Sequence, residues 1–252
     1  MTPFPDIADT LHWPRVHTIG VDGMLVCFSD RLDEAANRAA LAFRKALEDA
    51  DLQGVLETST SLASVYLRFD LRMTDHAAMR AALDALLHED DWYMATLPTG
   101  RTLWHVPAVF GTELAPQLDE AAAMAGLSPD QAISALCAEP LRVQAIGFAP
   151  GQPYLGQLPP EWDIPRQTGL TPQVPEGALA VAIRQMVLFS VSTPTGWRHV
   201  GQTALPLFRP DQPEPFTLRP GDDVQFVAVT REEFENIRRN DTLGGATSQM
   251  AD

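Results

Sequence analysis

The second half of this 252-residue chain holds five side chains with the chemistry of a small-molecule site. His199 can act as an acid, a base or a hydrogen-bond donor near neutral pH; an ordinary polar rim histidine is the competing reading. Gln185 and Thr203 are neutral hydrogen-bonding groups suited to an amide or a carboxylate. Arg166 carries a planar guanidinium that can grip a carboxylate through two parallel bonds, with a structural salt bridge as its rival. Tyr154 stands inside "GFAPGQPYLGQLPP" (147–160), which holds three glycines, four prolines and no charge. That run is too rich in Pro and Gly for a helix or strand and too apolar for a solvated linker. It reads as a shaped loop, either a rim turn whose glycines supply positive φ or a pocket wall. Trp197 precedes His199 by two residues, so alternation puts both on one strand face and Arg198 on the other. Trp197 reads as core before ligand platform, and Cys137 as a buried apolar residue.

Several other chemistries are excluded. The formal net charge of -15 argues against nucleic acid and anionic membranes as partners. Lys45 is the only lysine beside 17 arginines, and no G-x-x-x-x-G-K-[ST] occurs, so a self-contained P-loop is absent. His12, His17, His76, His88, His105 and His199 are dispersed, with no i, i+4 pair and no H-E-x-x-H, and no metal site is expected. Two cysteines, Cys27 and Cys137, do not make a disulfide framework. "MTPFPDIADT" lacks the basic and apolar regions of a secretory signal, and no apolar run could span a bilayer, which points to the cytoplasm.

The elements that must position these residues fall into two parts, with 14 of the 21 prolines from Pro140 onward. In the first part, 21–29 reads as a strand, and Asp30 caps a helix whose apolar positions run from Leu32 to Leu47. Strands at 54–58 and 63–70, a helix opened by Thr74 and a strand at 102–110 complete a β-α-β-β-α-β, ferredoxin-like order over residues 1–112. A helical bridge occupies 113–140; its second helix opens on the capping box Ser128-Pro129-Asp130-Gln131. Residues 141–239 read as short strands between Pro/Gly turns, a barrel or sandwich, ending in a helix capped by Thr230 and Glu233. The tail 240–252 has little to bury and reads as flexible. The fold class is α+β.

With these parts laid out, "GFAPGQPYLGQL", "IPRQ", "TPQVPEGALAVA", "TPTGWRHVGQT" and "LRPGDDVQF" occur in the order of a known family. The chain resembles the allophanate hydrolase subunit 1 family of carboxyltransferase domains, which includes the B-type subunits of 5-oxoprolinases and a sporulation kinase inhibitor. The resemblance runs from about Pro14 to Val229. It implies a small N-terminal α/β domain and a cyclophilin-like C-terminal β-barrel. It also implies an ATP-dependent complex that opens 5-oxoproline to glutamate, in which this chain is inactive alone. The partners would be a homologous subunit of the C type and a larger subunit of the A type. ATP would be used by the complex at a site shared with, or borrowed from, a partner. His199 and Gln185 would then be catalytic, and Arg166, Thr203 and Tyr154 substrate-binding. Alternatives within the family are a carboxyltransferase subunit of the allophanate hydrolase or urea carboxylase type and a non-catalytic histidine-kinase inhibitor. The chain departs from the family pattern at Gln152, usually an aromatic, and at Ile183 and Arg184, usually paired glycines. It departs again at Gln202 and Gln173, usually arginines, and at Cys137, where the family has a histidine.

Overall fold

The computed structural model describes residues 13–251. The N-terminal stretch read for a secretory signal lies outside the described residues, as does His12. The chain forms two compact units, Met1–Pro98 and Thr99–Asp252.

The first unit contains β1 (Arg15–Ile19), β2 (Gly23–Cys27), α1 (Glu34–Asp49), β3 (Val55–Ser61), β4 (Ser64–Phe69) and α2 (His76–Leu87). Its strands form one antiparallel sheet in the order β1-β2-β4-β3. Period-two alternation puts Met24, Val26, Val65, Leu67 and Phe69 on one face, where they meet Phe43 and Leu47 of α1 and Met79 and Leu83 of α2. The helices begin later than the sequence suggests. Asp33, not Asp30, caps α1 by accepting from the Ala36 N–H at 2.8 Å, and Asp75, not Thr74, caps α2 through Ala78. In each case the carboxylate stands three residues before the amide it satisfies.

The strand expected at 102–110 forms, but not in this sheet. It is β5 (Thr102–Phe110) of the second unit, so the first unit ends at Pro98 rather than at residue 112. The sheet edge beside β2 is taken by β1, joined to β2 through a three-residue turn with Gly20 at φ 62. So short a closure costs little chain entropy, whereas β5 finds six parallel partners along a strand more than a hundred residues away.

The second unit continues with α3 (Leu118–Met124), α4 (Pro129–Ala138), β6 (Leu141–Ile146), β7 (Pro153–Gly156), a 3-10 turn (Pro160–Trp162) and β8 (Thr171–Val174). Then follow β9 (Ala178–Ala182), β10 (Gln185–Leu188), β11 (Thr193–Thr195), β12 (Arg198–Thr203), β13 (Asp223–Ala228), α5 (Arg231–Asn240) and β14 (Thr247–Met250). Seven strands close into a barrel in the order β12-β9-β10-β7-β6-β13-β5, with β5 returning to β12. β12 meets β5 only at Ala108–Phe110, so closure leaves the start of β5 as an edge within that ring. Val106, Val143, Leu155, Val181, Met186, Val200 and Phe226 fill the interior, and Leu118, Ala122 and Leu136 of α3 and α4 join the same core. The stretch 113–140 is therefore part of the barrel unit, not a bridge between domains. The capping boxes at Ser128–Gln131 and Thr230–Glu233 both form.

Two further expectations are corrected. Residues 153–156 are a barrel strand despite their Pro/Gly-rich setting: Pro153 sits at its first position, where a missing N–H is tolerated, and both flanks pair, with β6 and β10. The tail does not hang loose, because Thr247–Met250 adds to β5 as an antiparallel edge strand. Its side chains are exposed, so backbone hydrogen bonds rather than burial hold it. Among the described residues, no helix is long and apolar enough to cross a membrane.

Candidate functional site

The hairpin loop between β6 and β7 is tied by two backbone bonds, Gly147 N–H to the Gln152 carbonyl at 3.0 Å and Gln152 N–H to the Ala149 carbonyl at 3.1 Å. Of the run's three glycines only Gly151 adopts a left-handed φ, of 72°; the other left-handed residue is Phe148. A Cβ on Gly151 would stand 2.6 Å from the Leu207 carbonyl oxygen, so only glycine lets the loop pass there. The turn points Phe148 outward, 72% exposed, and buries Gln152, which is 1% exposed.

Beyond this loop the outer face of β7, β10 and β9 is lined by small and flat groups. Leu179 and Val181 face the barrel interior, so Ala178, Ala180 and Ala182 face out. The room they leave is taken by Val174, Val187, Phe189 and Trp197. Tyr154 pairs across strands with Val187 and meets Trp197 edge to face, ring centroids 6.3 Å apart at 72°. Trp197 is thus core and platform at once: it is 7% exposed, yet one side of its ring borders open space.

Arg166 overlooks the same space from an irregular segment that is pinned on both sides. Before it, the Pro165 carbonyl accepts from the buried Arg198 guanidinium at 2.6 Å, and Arg198 also pairs with Glu120 at 2.8 Å. After it, the Gln167 N–H donates to the Gly196 carbonyl at 2.7 Å, and Gln167 Nε2 donates to the Trp197 carbonyl at 3.0 Å. Gln117 Nε2 holds Gln167 Oε1 at 2.9 Å, while its own Oε1 accepts from the His199 backbone N–H at 2.9 Å. Arg166 itself makes no hydrogen bond or ion pair among the described residues, so the rival salt bridge does not form.

Together these groups enclose a cleft of about 120 Å³ bordered by Gln152, Tyr154, Arg166, Phe189, Thr195 and Trp197. An unpaired guanidinium over an apolar, aromatic wall suits a small, flat molecule bearing one carboxylate.

The structure brings Tyr154 and Arg166 together and leaves the other three sequence candidates elsewhere. Gln185 is buried and donates from Nε2 to Gln144 Oε1 at 3.2 Å, reaching from β10 across β7 to β6. Thr203 lines a different cavity, of about 310 Å³, beside Glu176, Gly177 and Gln202. His199 is 4% exposed and borders neither cavity. Its desolvation depresses the imidazole pKa below 6.5, against smaller opposing contributions from the Gly201 backbone and the Gln202 side chain. His199 still pairs with Ala180 on β9, on the outward side with Trp197, and the bulge in β12 comes after it, before Gly201. Its side chain is enclosed rather than turned to the other face. Gln202, which departs from the family arginine, is spent internally, its Nε2 donating to the Glu176 carbonyl at 2.7 Å. Gln152 is visible in the sequence only as a departure from an aromatic. Gln167 is visible in the sequence only as the last residue of "IPRQ", and Gln117 carries no sequence signal. Their bonds to each other and to the backbone of Trp197 and His199 are ones that only the fold creates.

The profile described as "Carboxyltransferase domain, subdomain C and D" matches residues 14–218. The chain is 27% identical over 227 residues to the B-type subunit of 5-oxoprolinase from Bacillus subtilis, covering 87% of this chain and 95% of that protein. Its structure is similar to that of TTHA0988 (TM-score 0.68, 31% identity), covering 82% of this chain and 40% of that one. The urea amidolyase of K. lactis shares the fold at a TM-score of 0.71 and 19% identity, covering 95% of this chain and 16% of that one.

Proposed function

The chain belongs to the family of carboxyltransferase domains, subdomains C and D, and on that premise we propose that it is the B-type subunit of an ATP-dependent 5-oxoprolinase, inactive alone. The observation that carries this reading is the cleft between the Tyr154–Trp197 pair and Arg166. The substrate implied is a flat five-membered lactam with one carboxylate. Arg166 would take the carboxylate, and Tyr154, Phe189 and Trp197 would hold the ring and exclude water. Arg198, Gln117 and Gln167 would keep the guanidinium and the indole in place.

The cleft does not suit a nucleotide. Among the described residues Arg166 is the one cationic side chain along it, where a triphosphate needs several cations or a cradle of amides. We therefore assign ATP to a partner and route no step through it in this chain. The partners are a homologous C-type subunit and a larger A-type subunit. That the chain spans only 40% and 16% of two longer relatives supports a unit that works alongside other domains. We read the barrel as cyclophilin-like and the setting as cytoplasmic.

The test is ATP-dependent formation of glutamate from 5-oxoproline by this chain purified with its partners. Arg166→Ala should lower kcat/KM about 30-fold, the loss of a charge-assisted pair of roughly 2 kcal/mol. No conversion by the wild-type complex overturns the reading.

A further inference from the structure

Building on that reading, we propose that Gln152 selects the lactam: its side-chain amide forms a cyclic pair of hydrogen bonds with the ring amide of the ligand whose carboxylate Arg166 holds. Gln152 is 1% exposed and borders the cleft, and its Oε1 is buried without a partner. Neither end of its side-chain amide is hydrogen-bonded among the described residues, although its backbone N–H and carbonyl both are. A buried, unsatisfied amide is rare in native proteins and calls for a partner. Here the missing partner must enter through the cleft.

The chemistry of that partner follows from amide geometry. An open-chain secondary amide is trans, so its N–H and C=O point in opposite directions and a carboxamide can meet only one of them. Closing the amide into a small ring forces it cis, with N–H and C=O side by side. The glutamine carboxamide presents its own C=O and N–H in the matching arrangement, so two bonds form at once. Phe189, Tyr154 and Trp197 keep the surroundings dry, which strengthens such a pair. An aromatic residue, usual at this position in the family, could not make it. A lactone of the same shape has no N–H and would leave the Gln152 oxygen buried and unpaired, so the site should reject it.

The test is titration calorimetry on the full chain with L-5-oxoproline and with its lactone analogue, 5-oxotetrahydrofuran-2-carboxylate. The wild type should favour the lactam about ten-fold or more, the loss expected for one buried hydrogen bond. Gln152→Leu should bring the lactam down to the lactone's affinity and leave the lactone within about two-fold. Gln152→Glu, which keeps the size but loses the donor, should also lose the lactam preference. Arg166→Ala should weaken both ligands by the same factor. Melting curves of each variant check that the fold is intact. The proposal is overturned by equal binding of the two ligands, by binding of neither, or by an unchanged preference in Gln152→Leu. The outcomes separate it from the functional reading: a complex that opens 5-oxoproline with Gln152 irrelevant sinks this proposal alone, and lactam-selective binding without turnover sinks the other.

Discussion

Replacing Gly151 by alanine should damage the loop that buries Gln152, whereas the same change at Gly147, four residues earlier, should not. At Gly151 the φ of 72° places an L-residue in the left-handed region, at about 1–2 kcal/mol. The added Cβ would also stand 2.6 Å from the Leu207 carbonyl oxygen. Backbone, unlike a side-chain tip, must move bodily to relieve that overlap, which adds about 1–3 kcal/mol. Gly147 has no such φ, and a Cβ there meets no atom within 4 Å. Alanine at that position should be neutral or stabilising by up to about 1 kcal/mol, through the lower entropy of the unfolded chain. Urea denaturation at constant m would read the difference, about 2–5 kcal/mol for Gly151→Ala; thermal melting should fall by about 4–20 °C. Equal effects at the two glycines, or a Gly151→Ala variant within about 0.5 kcal/mol of wild type, would refute the reasoning.

Three further outcomes are expected. Ile183 holds a φ of 46° at the exposed β9–β10 turn, where a β-branched residue is strained; Ile183→Gly should raise the urea midpoint by the equivalent of about 1 kcal/mol. His199 has a folded pKa below 6.5 because it is desolvated, so the unfolded chain binds its proton first as the pH drops. Its contribution to stability is therefore complete above about pH 6.5 and is lost progressively below it. His199→Gln should flatten that part of the stability profile between pH 8 and pH 5. Burial pushes the Cys137 thiol up to about 11, so labelling with iodoacetamide at pH 8 should leave it unmodified in the native protein and modify it in urea.

Local rules are legible wherever the residues themselves decide the geometry. The capping boxes at Ser128 and Thr230 and the alternation of β6, β9 and β13 can be read directly. What the sequence conceals is set by distant pairing. Proline and glycine around Tyr154 argue against a strand, yet β6 and β10 supply both ladders, and barrel closure overrides propensity. β5 carries the same strand pattern whichever sheet it joins, and only β13 and β12 decide the matter. The tail strand is exposed on every side chain, so it leaves no hydrophobic signature at all. In the site, Arg166 and Tyr154 are identifiable by type. His199 falls outside it because its side chain is enclosed by the fold, at 4% exposure, and the sequence does not mark that burial. Gln185 and Thr203 have the right chemistry, but their neighbours claim it first: Gln144 for one, the Gly177 carbonyl for the other.

The most direct measurement of the central claim is a crystal structure of this chain in complex with its partner subunits and 5-oxoproline. The account predicts ligand density against Tyr154 and Trp197, with its carboxylate about 3 Å from the Arg166 guanidinium. Ligand bound elsewhere in the complex, with Arg166 facing bulk water and the cleft closed by its own side chains, would contradict it.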